Sequence, residues 1–167
     1  LNRIPVLPIA TALCIALAGP ASTATSRFAP PLLDTIVLWL VANFDLTATA
    51  ELPTLASVPD AELVAMRYGD DAQIRPGVVV ALYDDIGRTI YLSEGWTGRT
   101  PAELSVLVHE MVHHLQSTSG MRFACPAERE ILAYRAQEDW LNFFGESLES
   151  AFGIDRAMLL VGTVCTH

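Results

Sequence analysis

Residues 100–116 read TPAELSVLVHEMVHHLQ, and this run decides both the fold class and the chemistry. Thr100, with Pro101 next and Glu103 three residues on, forms a capping box with proline at the first helical position. Leu104, Val106, Leu107, Val108, Met111, Val112 and Leu115 follow at the spacing of a helix whose apolar side is broad. The run predicts a buried helix that stops near Gly120. Within it stands His109-Glu110-Met111-Val112-His113. Residues four apart on a helix lie one turn apart on one face. Two imidazoles so placed can each give one nitrogen to a tetrahedral Zn²⁺. Glu110, one residue on from His109, is angled off the ligand axis and is placed to work on a water as general base. Composition alone yields such an HExxH by accident in roughly half a per cent of chains like this. A capped, apolar helix narrows that further, since two buried histidines without partners cost free energy.

A third protein ligand must come from elsewhere. After His113 come His114, Leu115, Gln116, Ser117 and Thr118, so no third histidine stands at the HExxHxxGxxH spacing. The next segment, from Pro126 to about Phe144, reads as a second long helix stopped at Gly145. It offers two carboxylates. Glu130 shares a face with Tyr134, Gln137, Leu141 and Phe144, whereas Glu128 shares one with Arg135, Asp139 and Glu146. A carboxylate on a mostly apolar stripe needs a partner, and a metal supplies one. Glu130 is therefore the expected ligand, with Glu128 as the alternative; a first-turn charge beside the helix dipole is the plain reading of either.

HEMVH followed by EILAY resembles the gluzincin branch of the zincin metallopeptidases. The second motif of that branch is Glu-x-x-x-Asp or Glu-x-x-Ala-Asp. Glu130 matches its ligand position and Ala133 its small residue, but Tyr134 stands where the branch often has Asp. That Asp normally orients a metal-bound histidine, so here Tyr134, Gln137 or another group would have to do so. The runs LVHEMVHHLQ and REILAYRAQ also resemble a family of small exported bacterial proteins. The resemblance covers about residues 100–140. It implies a sheet, preceding the helix, whose edge strand runs beside the substrate.

Around this centre the chain punctuates simply. PLLDTIVLWLVANF, 31–44, predicts a helix, and 47–58 has loop composition. Asp60 is an expected N-cap for a short helix, Ala61 to Arg67, ended by Gly69. VVVALYD, 78–84, and the polar–apolar alternation of Arg88-Thr89-Ile90-Tyr91-Leu92-Ser93 predict a β-hairpin turned at 84–87. A last short helix is expected over Ile154 to Val161. The class is α+β: a small antiparallel or mixed sheet beside a pair of helices. His114 and Gln116 fall off the ligand face, and His114 reads as a packing residue. Tyr83, Tyr91 and Tyr134 are candidate donors to an oxyanion. Trp96 either lines a cleft or covers the core, and His167 is terminal.

Composition narrows the partners. Among 167 residues the ten basic ones are all Arg, and the net charge is −9. Without a basic stripe, nucleic acid and anionic membrane surfaces are poor partners. Asn2 and Arg3, the uncharged run Ile4 to Ala18, and the small residues before a cut after Ala24 read as an export signal over 1–24, leaving one domain over 25–167. The run is about 15 residues long and carries two prolines, short of the roughly 20 a membrane span needs. Outside that segment remain Cys125 and Cys165, an expected disulfide in an exported chain, with two buried thiols as the alternative. The expected activity is zinc-assisted hydrolysis of a peptide or protein substrate, with His109, His113 and Glu130 on the metal and Glu110 as base. The rivals are a structural zinc joining two helices and a metal-free binding module.

Overall fold

Every residue from Ser105 to Gln116 is buried, and the remaining elements are arranged around that stretch. The computed structural model describes residues 29–70 and 72–165; the expected export signal over 1–24 and His167 lie outside the described residues. The buried stretch belongs to the longest of six described helices, which with three strands make up the elements. In chain order these are α1 (Ala29–Asn43), β1 (Thr54–Val58), α2 (Asp60–Tyr68), β2 (Ala81–Asp84), β3 (Thr89–Ser93), α3 (Pro101–Thr118), α4 (Pro126–Asn142), α5 (Leu148–Phe152) and α6 (Arg156–Thr163). The class is α+β, as expected. None of the described helices is long and apolar enough to cross a membrane.

The sheet is mixed, in the order β1-β3-β2. The expected hairpin is present: β2 and β3 pair antiparallel, Ala81 facing Leu92 and Asp84 facing Thr89. Its turn is tied by the Asp84 carboxylate, which accepts from Ile86 N at 3.0 Å and Gly87 N at 3.1 Å. The first strand is shorter than its composition implies. Val78 and Val80 lie exposed outside it, although the Val80 carbonyl still accepts from Ser93 N of β3 at 3.1 Å. Residues 47–58 are only partly loop. Thr54–Val58 forms β1, parallel to β3 with Leu55 beside Ile90. TLASV has no alternation and little bulk, and its strand state is set by pairing with β3 rather than by propensity. Pro53 and Pro59 flank it and mark where the ladder must stop.

Helix starts follow local chemistry, with two corrections. Asp60 is not the cap of α2; Pro59 holds that position, and the Asp60 carboxylate instead accepts from Ser93 Oγ at 2.5 Å, binding α2 to the sheet. The final helix begins two residues later than expected, because Asp155 caps it by accepting from Met158 N at 2.8 Å. A short helix the sequence reading omitted, α5, is opened by a reciprocal Ser147–Ser150 cap.

The start of α3 is the best-anchored point. Thr100 Oγ1 accepts from Glu103 N at 3.1 Å, as the capping box requires. Glu103 in turn accepts from the backbone N–H groups of Thr97 at 2.9 Å, Arg99 at 3.0 Å and Thr100 at 3.1 Å. Desolvation opposes ionisation there, but those donors win and hold the carboxyl down to about 2. Trp96 donates from Nε1 to the Glu103 carbonyl at 2.8 Å, so it covers the entry to α3. Gly98 beneath it has φ +67°, and a Cβ there would meet the indole at 2.6 Å.

Packing then brings the second site helix alongside. Leu107, Val108, Met111, Val112 and Leu115 of α3 share a core with Ile36 and Leu40 of α1, Ile90 and Leu92 of β3, and Ala133 and Ala136 of α4. The two alanines are fully buried, and their small size allows α4 to lie close against α3. Two cross-links fix the start of α4. Arg129 makes a bidentate pair with Asp85 in the hairpin turn, at 2.9 and 3.1 Å. Cys125 and Cys165 form a disulfide with Cα atoms 5.8 Å apart, joining the start of α4 to the chain after α6.

Two predictions concern these anchors. Glu103→Ala is expected to destabilise the fold by about 1–2 kcal/mol at neutral pH. Because the folded-state carboxyl titrates below its ordinary 4.5, its contribution is full above 4.5 and is lost as pH falls through about 2. Thermal melts of the two proteins should therefore converge with acidification. Cys125→Ser should cost about 3–4 kcal/mol, the chain-entropy value for a loop spanning 40 residues, read from urea denaturation.

Candidate metal centre

α3 delivers His109 and His113 to one face, one turn apart, and α4 brings Glu130 against them. His109 Nε2 lies 3.1 Å from Glu130 Oε2 and 3.2 Å from His113 Nε2. His113 Nε2 lies 3.4 Å from the same carboxylate oxygen. Three atoms bound at zinc-like distances to one tetrahedral ion would be spaced about 3.3 Å apart, so this triangle fits a small cation without rearrangement. Two imidazoles and a carboxylate can hold a metal ion, and they form the one such group among the described residues.

Burial and charge support the fit. The two histidines are buried, while the Glu130 side chain keeps 26% of its surface, so the group is open to solvent on the carboxylate side. Burial would raise the Glu130 carboxyl, but its contacts with His109 and His113 prevail and hold it well below the usual carboxylate range. Burial likewise pushes the His113 imidazole down, yet the Glu130 contact and the nearby Glu110 charge outweigh it and lift the ring above its ordinary 6.5. Each imidazole is held from behind: His109 Nδ1 is 3.0 Å from Gln137 Oε1, and His113 Nδ1 is 3.0 Å from Gln116 Oε1.

Glu110 is 7% exposed and makes no side-chain hydrogen bond to a described residue. Its oxygens are not among the sealed, unpartnered atoms, so water or a cation at the edge of the site can answer its charge. Its influence is felt at both His113 and Tyr134, which places it beside the metal group. The Tyr134 ring packs edge-on to His109 with centroids 4.7 Å apart. Burial raises its phenol, and the Glu130 and Glu110 charges raise it further.

The expected site residues separate cleanly. His109, His113 and Glu130 converge, with Glu110 beside them. Glu128 does not join them; its carboxylate accepts from Ala124 N at 2.5 Å and finishes the turn before α4. His114 packs in the core, between Tyr83 Oη at 3.1 Å and the Glu51 carbonyl at 2.8 Å. That contact commits Tyr83 to His114 and removes it as an oxyanion donor, and Tyr91 lies mid-β3. Gln116 corrects the sequence reading, which set it off the ligand face: three residues beyond His113, it reaches that ring's Nδ1. The i to i+3 spacing was the available signal. Phe144 is also misplaced by the helical-face reading, since α4 ends at Asn142 and Phe144 is exposed.

A family model described as a domain of unknown function, DUF6647, matches residues 25–166. The chain belongs to this family. No curated protein and no solved structure matches it. The DUF6647 match spans all the residues that build the metal group.

Metal binding is expected to compete with protons for the imidazole nitrogens. Affinity for a divalent ion, followed by calorimetry, should be full at alkaline pH and fall as pH drops through a range beginning above 6.5, where His113 takes up a proton. His109→Ala or His113→Ala should abolish stoichiometric binding. Binding that is level from mildly acidic to mildly alkaline pH would sink the histidine pair as ligands.

Proposed function

We propose that this chain is an exported zinc-dependent hydrolase that cleaves peptide bonds, related in its site to the gluzincin-type metallopeptidases. One observation carries the reading. A group able to hold a cation is flanked by a second acid, Glu110, which is only 7% exposed, makes no side-chain hydrogen bond to a described residue and keeps its carboxylate oxygens within reach of solvent. In a zinc staple between helices, no such extra acid is needed.

His109, His113 and Glu130 would hold the ion, leaving the side toward Glu130 open to solvent and substrate. A bound Zn²⁺ would supply Lewis acidity, polarising a carbonyl and lowering the pKa of water. Glu110 takes the proton from the attacking water and passes it to the leaving amine. Tyr134, against His109, is the remaining tyrosine placed to donate to the oxygen that gains charge. The hydrophobic bed beneath α3 keeps the ligand geometry from relaxing when the substrate binds.

Export agrees with the leader-like composition of residues 1–24 and with the Cys125–Cys165 disulfide, which persists in oxidising compartments. A structural zinc is the second reading, favoured by the ligands' coming from two packed helices. The two readings part on Glu110. Glu110→Gln is expected to leave the metal content unchanged and to lower hydrolysis of an unfolded protein substrate by about 10²–10⁴-fold. Full activity in that variant excludes the mechanism, and a wild-type chain that binds zinc but cleaves nothing across a broad peptide library favours the staple.

A further inference from the structure

We propose that Gln116 and Gln137 are positioning residues that lock both metal-facing imidazoles in the Nδ1–H tautomer, using neutral amides where the gluzincin pattern uses a carboxylate. The inference rests on the metal-binding reading above and concerns what sets the state of its ligands.

The orientation of each amide is fixed at its far end. Ser105 Oγ donates its only proton to the Ala102 carbonyl at 2.7 Å, so toward Gln137 it can only accept. Gln137 Nε2 donates to it at 3.2 Å. The Gln137 Oε1 atom therefore faces His109 Nδ1 at 3.0 Å, and that nitrogen must carry the hydrogen. On the other side, the Arg129 carbonyl is acceptor only, and Gln116 Nε2 donates to it at 3.0 Å. Gln116 Oε1 is then the atom 3.0 Å from His113 Nδ1, and His113 donates as His109 does. Ser105, Gln116 and Gln137 are all buried, so water does not compete for these bonds. Both Nε2 lone pairs are left pointing at one another and at the Glu130 carboxylate, the arrangement in which three donors can share one cation.

The outer partner also sets the charge. A carboxylate behind a metal-bound histidine makes the ring a stronger donor and tightens binding. An amide aligns the ring without adding charge. The site then carries a single ligand carboxylate, Glu130, and the ion keeps more of its positive charge for the substrate. The two relays also differ. The Ser105 hydroxyl can turn to donate toward a carboxylate at 137, whereas the Arg129 carbonyl cannot donate toward one at 116.

The test combines nitrogen NMR of the histidine rings in the metal-free full-length chain at alkaline pH with Zn²⁺ affinity measured by chelator competition. Both site rings are expected to carry hydrogen on Nδ1. Gln137→Met and Gln116→Met, checked for folding by circular dichroism, should each bind Zn²⁺ about 10–100-fold more weakly. Gln137→Glu should bind at least as tightly as the wild type, and Gln116→Glu should not. Methionine variants with wild-type affinity, or a site ring carrying hydrogen on Nε2 instead, would overturn the proposal. If one methionine variant does not fold, the wild-type spectrum and the other variant still decide it. A wild-type chain that binds no Zn²⁺ defeats the metal reading, while the spectrum read without metal judges the tautomer lock separately.

Discussion

Three electron-rich atoms meet within 3.4 Å in a largely buried place, and the molecule depends on how that repulsion is answered. Two imidazole nitrogens and a carboxylate oxygen do not collect there for packing reasons. Apolar side chains would fill the space between α3 and α4 at less cost. A cation at the centre of the group adds an attraction to each of the three atoms that outweighs their mutual repulsion. Burial opposes charge on both His113 and Glu130, yet their mutual contact lifts the His113 imidazole and lowers the Glu130 carboxyl.

The rest of the fold holds that triangle in register. The cap at Thr100 and Glu103 sets where α3 begins and so the rotation at which His109 and His113 emerge. Fully buried Ala133 and Ala136 set how closely α4 approaches, and hence whether Glu130 can reach. The Arg129–Asp85 pair and the Cys125–Cys165 disulfide limit sliding of α4 along its axis. The glutamines cross the same interface: Gln137 links His109 of α3 back to Ser105 of α3 by way of α4, and Gln116 ties His113 to the backbone of α4. Ligand geometry and helix packing are thus one structure.

Much of this could be read along the chain where the signal was local. HEMVH on a capped helix placed His109, Glu110 and His113, and helical phase separated Glu130 from Glu128 without coordinates. The spacing and compartment logic paired Cys125 with Cys165. Where the signal was not local, the reading failed. β1 has a composition suited to a loop and becomes a strand because β3 offers it a partner. Val78 has strand composition but lies exposed, before β2 begins at Ala81. Asp60 looked like a cap and serves as a tether to Ser93. Gln116, three residues on from His113 and so a local contact the reading passed over, stands behind the His113 ring.

By itself the sequence determined the elements whose cause lies within a few residues: the bounds of α3, the face bearing two histidines and an acid, and the one carboxylate on the neighbouring helix in phase to meet them. Periodicity and capping act over a turn or two, so they are complete in the linear text. Only the tertiary structure decided which polar groups stand behind those rings, that Tyr83 pairs with His114 while Tyr134 packs on His109, and that Thr54–Val58 forms a parallel strand. Apart from Gln116 behind His113, such pairings join residues tens of positions apart. They are fixed by the approach of two packed surfaces, a distance that no spacing along one chain segment encodes.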